Sequence, residues 1–155
     1  MTRRILVTML VLGTVAYACA AGGAAGGLTR AQYQAMLHSA NAAVTSVETA
    51  AQKGLTAKAT HAQAKALLLA WANTETRLGK SFRAVSPPRN AVRANALLSQ
   101  GEITFGSELA YVANHLPQNK AKAGAFIEQR LGNTKGARKI DAALALLKKA
   151  GYPAG

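Results

Sequence analysis

The chain has 155 residues, of which 19 are Lys or Arg and only six are Asp or Glu, giving a formal net charge of +13. A chain of this length is typical of a single domain with its own hydrophobic core. Cys19 is the single cysteine, so a disulfide within the chain is excluded. Aromatic residues make up only 5% of the chain, and no Val-, Ile- or Thr-rich alternating run is found, so the composition favours helices over sheet.

The N-terminal residues have the pattern of a secretory signal. Two arginines precede an uncharged, largely apolar run over 5–18, and small residues precede Cys19. This run is shorter than the roughly 20 apolar residues that a helix needs to cross a bilayer core. We therefore expect residues 1–18 to be a signal peptide. The uncharged stretch continues to Leu28, so an uncleaved membrane anchor is an alternative.

Cys19 is the candidate site of lipidation. The sequence Val-Ala-Tyr-Ala-Cys over residues 15–19 resembles a bacterial lipobox, in which the thiol is acylated and the cysteine becomes the new N-terminus. Residues 20–27 read AAGGAAGG, which is typical of a flexible tether with an r.m.s. span of about 15 Å. We predict a lipid-anchored, palmitate-bearing Cys19 and a tether over 19–27. Two A-x-A matches, at 16–18 and 18–20, leave cleavage by ordinary signal peptidase and secretion as the alternative.

Residues 28–155 predict an all-α domain, an antiparallel bundle of four to five helices. The first helix spans about 30–53, and a second begins after Thr60. Each starts with a capping-box pattern, Thr29 with Gln32 and Thr60 with Gln63. Apolar residues follow at helical spacing: Tyr33, Met36, Leu37, Ala40, Val44, Val47 and Ala51 in the first helix, and Ala64, Leu67, Leu68, Trp71, Leu78 and Phe82 in the second.

Glu75 interrupts the apolar face of the second helix. A buried carboxylate at this position would indicate a functional site. We favour a shoulder position instead, from which Glu75 reaches water while Thr74 points inward.

The prolines at 87 and 88 end the second helix. A third helix follows and ends at Pro117, with its apolar face formed by Val92, Leu97, Leu98, Phe105, Leu109, Val112 and Leu116. Gly101 and Gly106 within it indicate either a close crossing of another helix or a kink near Gly101. Two further helices are predicted over about 119–131 and 135–150, the last with Ile140, Leu144 and Leu147 on its apolar face.

Motifs for catalysis or cofactor binding are not found. The chain lacks a Gly-x-Ser-x-Gly sequence, a phosphate-binding loop and a dinucleotide fingerprint. No two of its carboxylates lie at close helical spacing, so the sequence offers no carboxylate pair suited to general acid–base catalysis. His38, His61 and His115 fall on different helices, and only a facing pair of His38 and His115 would suggest haem or metal binding. We predict a protein that is not an enzyme, with no catalytic, cofactor or metal site.

The positive charge indicates an anionic partner. Without residues 1–18, the chain carries 17 lysines and arginines against six carboxylates, a net charge of +11. Such a surface attracts anionic lipid headgroups or phosphate- or carboxylate-bearing wall polymers; the alternative is a solvated surface that maintains solubility. Nucleic acid is not expected, because the predicted location is outside the cytoplasm and few aromatic residues are available for stacking.

The overall plan resembles the small, alanine-rich, uncharacterised lipoproteins of high-GC, actinobacterial-type bacteria. The resemblance rests on the lipobox, the Ala/Gly tether, the opening Leu28-Thr-Arg-Ala-Gln-Tyr33 and the Pro-Pro break before the third helix. It implies a helical, extracytoplasmic, non-enzymatic protein in which Cys19 is the only functional residue that carries over.

Overall fold

The computed structural model describes residues 27–56 and 58–152. The predicted signal peptide, Cys19 and all of the tether except Gly27 lie outside these residues. The described chain forms five α-helices: α1 (Arg30–Gly54), α2 (His61–Ala84), α3 (Val92–Asn114), α4 (Lys120–Leu131) and α5 (Lys135–Lys149). A short 3-10 turn, Arg89–Ala91, leads into α3. The prediction of an all-α bundle is confirmed, and the described residues include no strand.

Helix α3 is the centre of the bundle. It packs along α2 on one side and α5 on another, while α1 packs against α2 and the short α4 packs against α3. The Ser99 hydroxyl donates a hydrogen bond of 2.8 Å to the Gly79 carbonyl, while Gly106 lies beside Ala72. Later residues of α3 therefore meet earlier residues of α2, so these two helices run in opposite directions.

The two glycines inside α3 mark close helix crossings. A Cβ atom on Gly101 would lie 2.8 Å from Ile140 Cγ1 and 3.0 Å from the Ile140 backbone nitrogen in α5. On the other side of α3, a Cβ on Gly106 would lie 2.8 Å from the carbonyl oxygen of Ala72 in α2. Helix α3 continues without a break through both glycines, and these short distances to α5 and α2 support the close-crossing interpretation.

The predicted helix starts are confirmed. Thr29 and Gln32 form a reciprocal capping box at α1, and Thr60 and Gln63 form another at α2. Each threonine hydroxyl accepts a hydrogen bond from a backbone N–H of the first turn, and each glutamine side chain accepts one from the threonine N–H. These bonds satisfy donors that the helix itself leaves unpaired.

The core has two hydrophobic clusters at opposite ends of α3. The first contains residues from the start of α1, the end of α2, the start of α3 and the end of α5, with Tyr33, Phe82, Leu98, Leu147 and Tyr152 among its largest members. The second joins the start of α2 to the end of α3 and is covered in part by α4, with Leu68, Leu109, Val112 and Leu116 at its centre.

Some apolar assignments from the sequence are wrong. Val92, placed on the inner face of the third helix, is 53% exposed because it lies at the first position of α3, beyond the neighbouring helices. Leu144 is also exposed, because Ile140, Ala143 and Leu147 supply the inner face of α5. Conversely, Tyr152 follows the last helix but is 1% exposed and packs into the first cluster.

Within residues 27–56 and 58–152, none of the helices combines the length and the hydropathy that crossing a bilayer requires.

Candidate functional site: a cationic surface over buried carboxyl groups

Glu75 is buried, which contradicts the interpretation from the sequence. Its side chain is 1% exposed, and Thr74 is buried as well. The tight packing of α2 against α3 leaves no path by which the Glu75 carboxyl group reaches water from its shoulder position. Trp71, one turn earlier in α2, donates a hydrogen bond from Nε1 to Glu75 Oε1 at 2.6 Å. The indole ring of Trp71 is held in turn by an edge-to-face contact with Phe105 of α3.

A second buried carboxyl group faces Glu75 from α3. Glu102 is 5% exposed, and Glu75 is the acidic group that interacts with it. Burial, followed by the interaction with the Glu75 carboxyl group, raises the pKa of Glu102 to about 10. At neutral pH, Glu102 is therefore a neutral acid.

The neutral form of Glu102 also bears on two buried oxygens. The Oε2 atoms of Glu75 and Glu102 have no hydrogen-bond partner among the described residues. A buried oxygen without any partner costs about 1–3 kcal/mol. Protonation of Glu102 avoids the larger cost of burying two neighbouring charges.

Glu48 of α1 brings a third acidic group toward this centre. Its pKa is raised by partial burial and by the charge of Glu75, and a hydrogen bond from Gln52 opposes this shift. Three consecutive helices thus each direct one carboxyl group inward. The spacing of Glu75 after Leu68 and Trp71, and of Glu102 between Leu98 and Leu109, was the available sequence signal for burial.

Glu108 is also used inside the fold. Its two carboxylate oxygens accept hydrogen bonds from the backbone nitrogens of Lys135, at 2.9 Å, and Gly136, at 3.1 Å. These nitrogens belong to the first turn of α5, where the helix dipole favours a negative charge. Because Glu108 comes from α3, this bond joins the start of α5 to the centre of the bundle.

The cations have the opposite distribution. Of the 17 lysines and arginines from Arg30 onward, all but Lys65 and Lys139 are exposed. Of the six carboxylates, only Glu128 and Asp141 are exposed. Leaving Lys120 aside, no lysine or arginine in the described part of the chain forms an ion pair with a carboxylate. The exposed charged groups are therefore mostly cationic, more so than the net charge of +11 indicates.

The histidines do not form a joint site. His38 is exposed on the first half of α1, and His115 lies at the other end of the bundle, after α3. The Nδ1 atom of His115 lies 2.8 Å from the Tyr111 carbonyl oxygen, and its ring is stacked on that of Tyr111. The proposed facing pair of His38 and His115 is therefore wrong. Nowhere in the described residues do three His, Cys, Asp or Glu side chains converge in a group that could hold a metal ion.

Two open grooves lie at opposite ends of the bundle. One, of about 310 Å³, lies between the α1–α2 loop and the start of α4 and is lined mainly by apolar side chains, with His61 at its wall. His61 Nε2 is held 2.9 Å from the Leu116 carbonyl oxygen. The other groove, of about 450 Å³, lies beside Pro87 and Val92, with Arg83 at its edge.

No known protein family matches this chain, and neither a curated protein nor a solved structure was found to be similar to it.

Proposed function

We propose that the protein is a membrane-anchored, extracytoplasmic lipoprotein that acts as a non-enzymatic binding module and contacts anionic envelope components through its basic surface. The proposal rests on one observation: the acidic side chains are mostly buried or half-buried, whereas the basic side chains are mostly exposed. Four of the six carboxyl groups are buried or half-buried, while 15 of the 17 described cationic side chains are exposed. A surface with so few anions cannot neutralise itself through local ion pairs, so its field extends toward external anions.

The anchor in this proposal is Cys19, which lies eight residues before Gly27. Acylation of Cys19 would place the helical domain within a few nanometres of a membrane. Each lysine or arginine near an anionic surface contributes about 1 kcal/mol, and the attraction acts within roughly a Debye length. Several weak contacts then give reversible binding to lipid headgroups or wall polymers without a specific pocket.

Vesicle co-sedimentation tests the electrostatic part of the proposal. The protein is produced as residues 19–155 with the substitution Cys19→Ser, which removes the lipid and keeps all five helices and both clusters. It is mixed with vesicles of phosphatidylcholine alone or of phosphatidylcholine with phosphatidylglycerol. We expect binding to the anionic vesicles only, and weaker binding as salt rises to about 0.15 M, where the Debye length is about 8 Å.

Absence of binding to anionic vesicles and to anionic wall polymer at low salt would refute the proposal. The exposed cations would then serve only solubility. Binding to phosphatidylcholine that does not depend on salt would equally contradict it, because the attraction would not be electrostatic.

A further inference from the structure

The chain enters the bundle at one end, which we call the entry end and define by residues 27–30, 83–93 and 148–152. The backbone nitrogen of Leu28 donates a hydrogen bond of 2.8 Å to the Ser86 carbonyl oxygen. The Asn90 side chain donates to the carbonyl of Ala150 at 3.3 Å and is bonded through Oδ1 to the Tyr152 hydroxyl at 3.2 Å. These bonds hold the start of the described chain, the α2–α3 connection and the end of α5 together.

Further contacts join the helices at this end. Arg30 Nη2 donates a hydrogen bond of 2.7 Å to the Gly151 carbonyl oxygen, and its guanidinium group lies over the Tyr152 ring. The Tyr33 hydroxyl is bonded to Asn95 Oδ1 at 3.1 Å, and Asn95 Nδ2 donates to the Phe82 carbonyl at 2.8 Å. The backbone segments that carry the exposed cations of this end are therefore held together.

The entry end presents cations without a neighbouring acid. Arg83, Arg89 and Arg93 are exposed around the α2–α3 connection, and Lys148 and Lys149 are exposed at the end of α5. None of the six carboxylates of the chain lies in these segments. The guanidinium group suits phosphate because its donors form paired hydrogen bonds to two oxygens.

An exposed apolar residue lies among the three arginines. Val92 is 53% exposed, directly before Arg93 in the sequence, and lines the shallow groove together with Pro87 and Arg83. Arginines close to an exposed apolar residue match a lipid surface, where phosphates lie just outside the acyl chains.

The opposite end, which we call the far end and define by residues 53–61 and 115–122, provides the comparison. It is also basic, but its cations are all lysines, which include Lys53, Lys58 and Lys122. Gly27, the first described residue after Cys19, lies beside Ser86 at the entry end and not at this end.

We infer that the entry end is the membrane-docking surface, with Arg83, Arg89 and Arg93 bound to the phosphates of anionic phospholipids and Val92 placed at the headgroup boundary. This inference rests on the proposed function and adds an orientation to it. The span predicted from the sequence for the tether after Cys19, about 15 Å r.m.s., would bring the lipid surface to the end of the domain at which the chain enters.

Two matched charge variants of the Cys19→Ser protein test the orientation. One carries Arg83→Gln, Arg89→Gln and Arg93→Gln, and the other carries Lys53→Gln, Lys58→Gln and Lys122→Gln. Both lower the net charge by three through exposed side chains, and circular dichroism checks that both fold. On phosphatidylglycerol-containing vesicles at low salt, we expect the partition coefficient to fall by about tenfold or more for the entry-end variant and by less than about threefold for the far-end variant.

Equal losses in the two variants would overturn the docking orientation while leaving the proposed function intact, since the charge would then act without a preferred face. A larger loss in the far-end variant would overturn it as well. Failure of the unsubstituted protein to bind would refute the proposed function itself.

A second measurement places the surface directly. In the Cys19→Ser protein, which has no other cysteine, Val92→Cys or Gly124→Cys is labelled with an environment-sensitive fluorophore. Gly124 is exposed on α4, and a Cβ there meets no atom within 4 Å. We expect anionic vesicles to shift the emission of the label at position 92 to the blue and to leave that at position 124 unchanged. The reverse pattern, or equal shifts, would contradict docking through the entry end.

Discussion

Glu102 of α3 is buried beside Glu75 of α2, and this pairing of carboxyl groups links the stability of the protein to pH. The pKa of Glu102 is about 10 in the folded chain against 4.5 for an ordinary glutamate. The folded state therefore holds the proton of Glu102 more tightly than the unfolded state does. The contribution of Glu102 to the free energy of unfolding is greatest below pH 4.5 and falls as pH rises toward about 10.

The first prediction concerns Glu102→Gln. Glutamine keeps the shape of the side chain without ionising, so we expect a smaller decline in the free energy of unfolding as pH rises from 4.5 toward 10. For one proton, the substitution changes the slope of the free energy of unfolding against pH by at most about 1.4 kcal/mol per pH unit. Urea unfolding at several pH values measures this slope. The exposed Glu128→Gln is the control and should leave the slope unchanged. An unchanged slope in Glu102→Gln would contradict the raised pKa of Glu102.

The second prediction concerns the helix crossing at Gly106. Gly106→Ala raises the intrinsic helix propensity but places a methyl group against the backbone of α2, with 2.8 Å to the Ala72 carbonyl oxygen. We expect a net loss of about 1–3 kcal/mol in the free energy of unfolding. Gly124→Ala, on open α4 surface, should instead gain about 0.5–1 kcal/mol. Thermal unfolding measures the change in stability of both variants. A stabilising Gly106→Ala would show that α2 and α3 are further apart.

The third prediction concerns Tyr152, which follows the last helix. Its ring packs edge-on against that of Tyr33, with centroids 5.4 Å apart. We expect Tyr152→Ala to cost about 3–5 kcal/mol, as for other large buried aromatic residues. Tyr152→Phe, which loses only the hydrogen bond with Asn90, should cost about 0.5–1.5 kcal/mol. Tyr111→Ala, at an exposed position, is the control. Equal stability of the wild-type and Tyr152→Ala proteins would mean that the C-terminal segment does not contribute to the core.

The fourth prediction concerns Cys19. Mass spectrometry of protein extracted from membranes should show diacylglyceryl and acyl mass on an N-terminal Cys19, since one acyl chain binds membranes only marginally and two bind stably. The substitution Cys19→Ser should release the protein from the membrane or leave it unprocessed. If processed wild-type protein is found free in the medium, ordinary signal peptidase is the processing enzyme. If the wild-type protein in the membrane still carries residues 1–18, the N-terminal segment is an uncleaved anchor.

Local sequence signals predicted much of the fold. The helix limits could be predicted from the capping boxes at Thr29 and Thr60 and from the prolines at 87 and 88. Capping and proline effects involve only residues that are close in the sequence. Gly101 and Gly106 left two interpretations open, since a glycine does not specify which helix passes beside it.

The buried carboxyl pair was not predicted, for a physical reason. Glu75 and Glu102 are 27 residues apart and on different helices, so their contact depends on the register between α2 and α3. Helical spacing shows that each residue lies near an apolar face, but the choice between burial and a solvated shoulder depends on how closely the facing helix approaches. Tyr152 was missed similarly, because its burial arises from contacts with α1 and with the α2–α3 connection.

The hydrogen bonds that join Leu28, Ser86 and Tyr152 to the same end of the bundle determine where a reporter protein is best attached. A fusion after Tyr152 would emerge beside Arg89 and Arg93 and would separate them from any surface they approach. An insertion in the α1–α2 connection, near Lys58, would project from the other end and leave these arginines uncovered. The same geometry favours a circular permutant that joins residue 152 to residue 27 by a short linker and opens the chain at that connection.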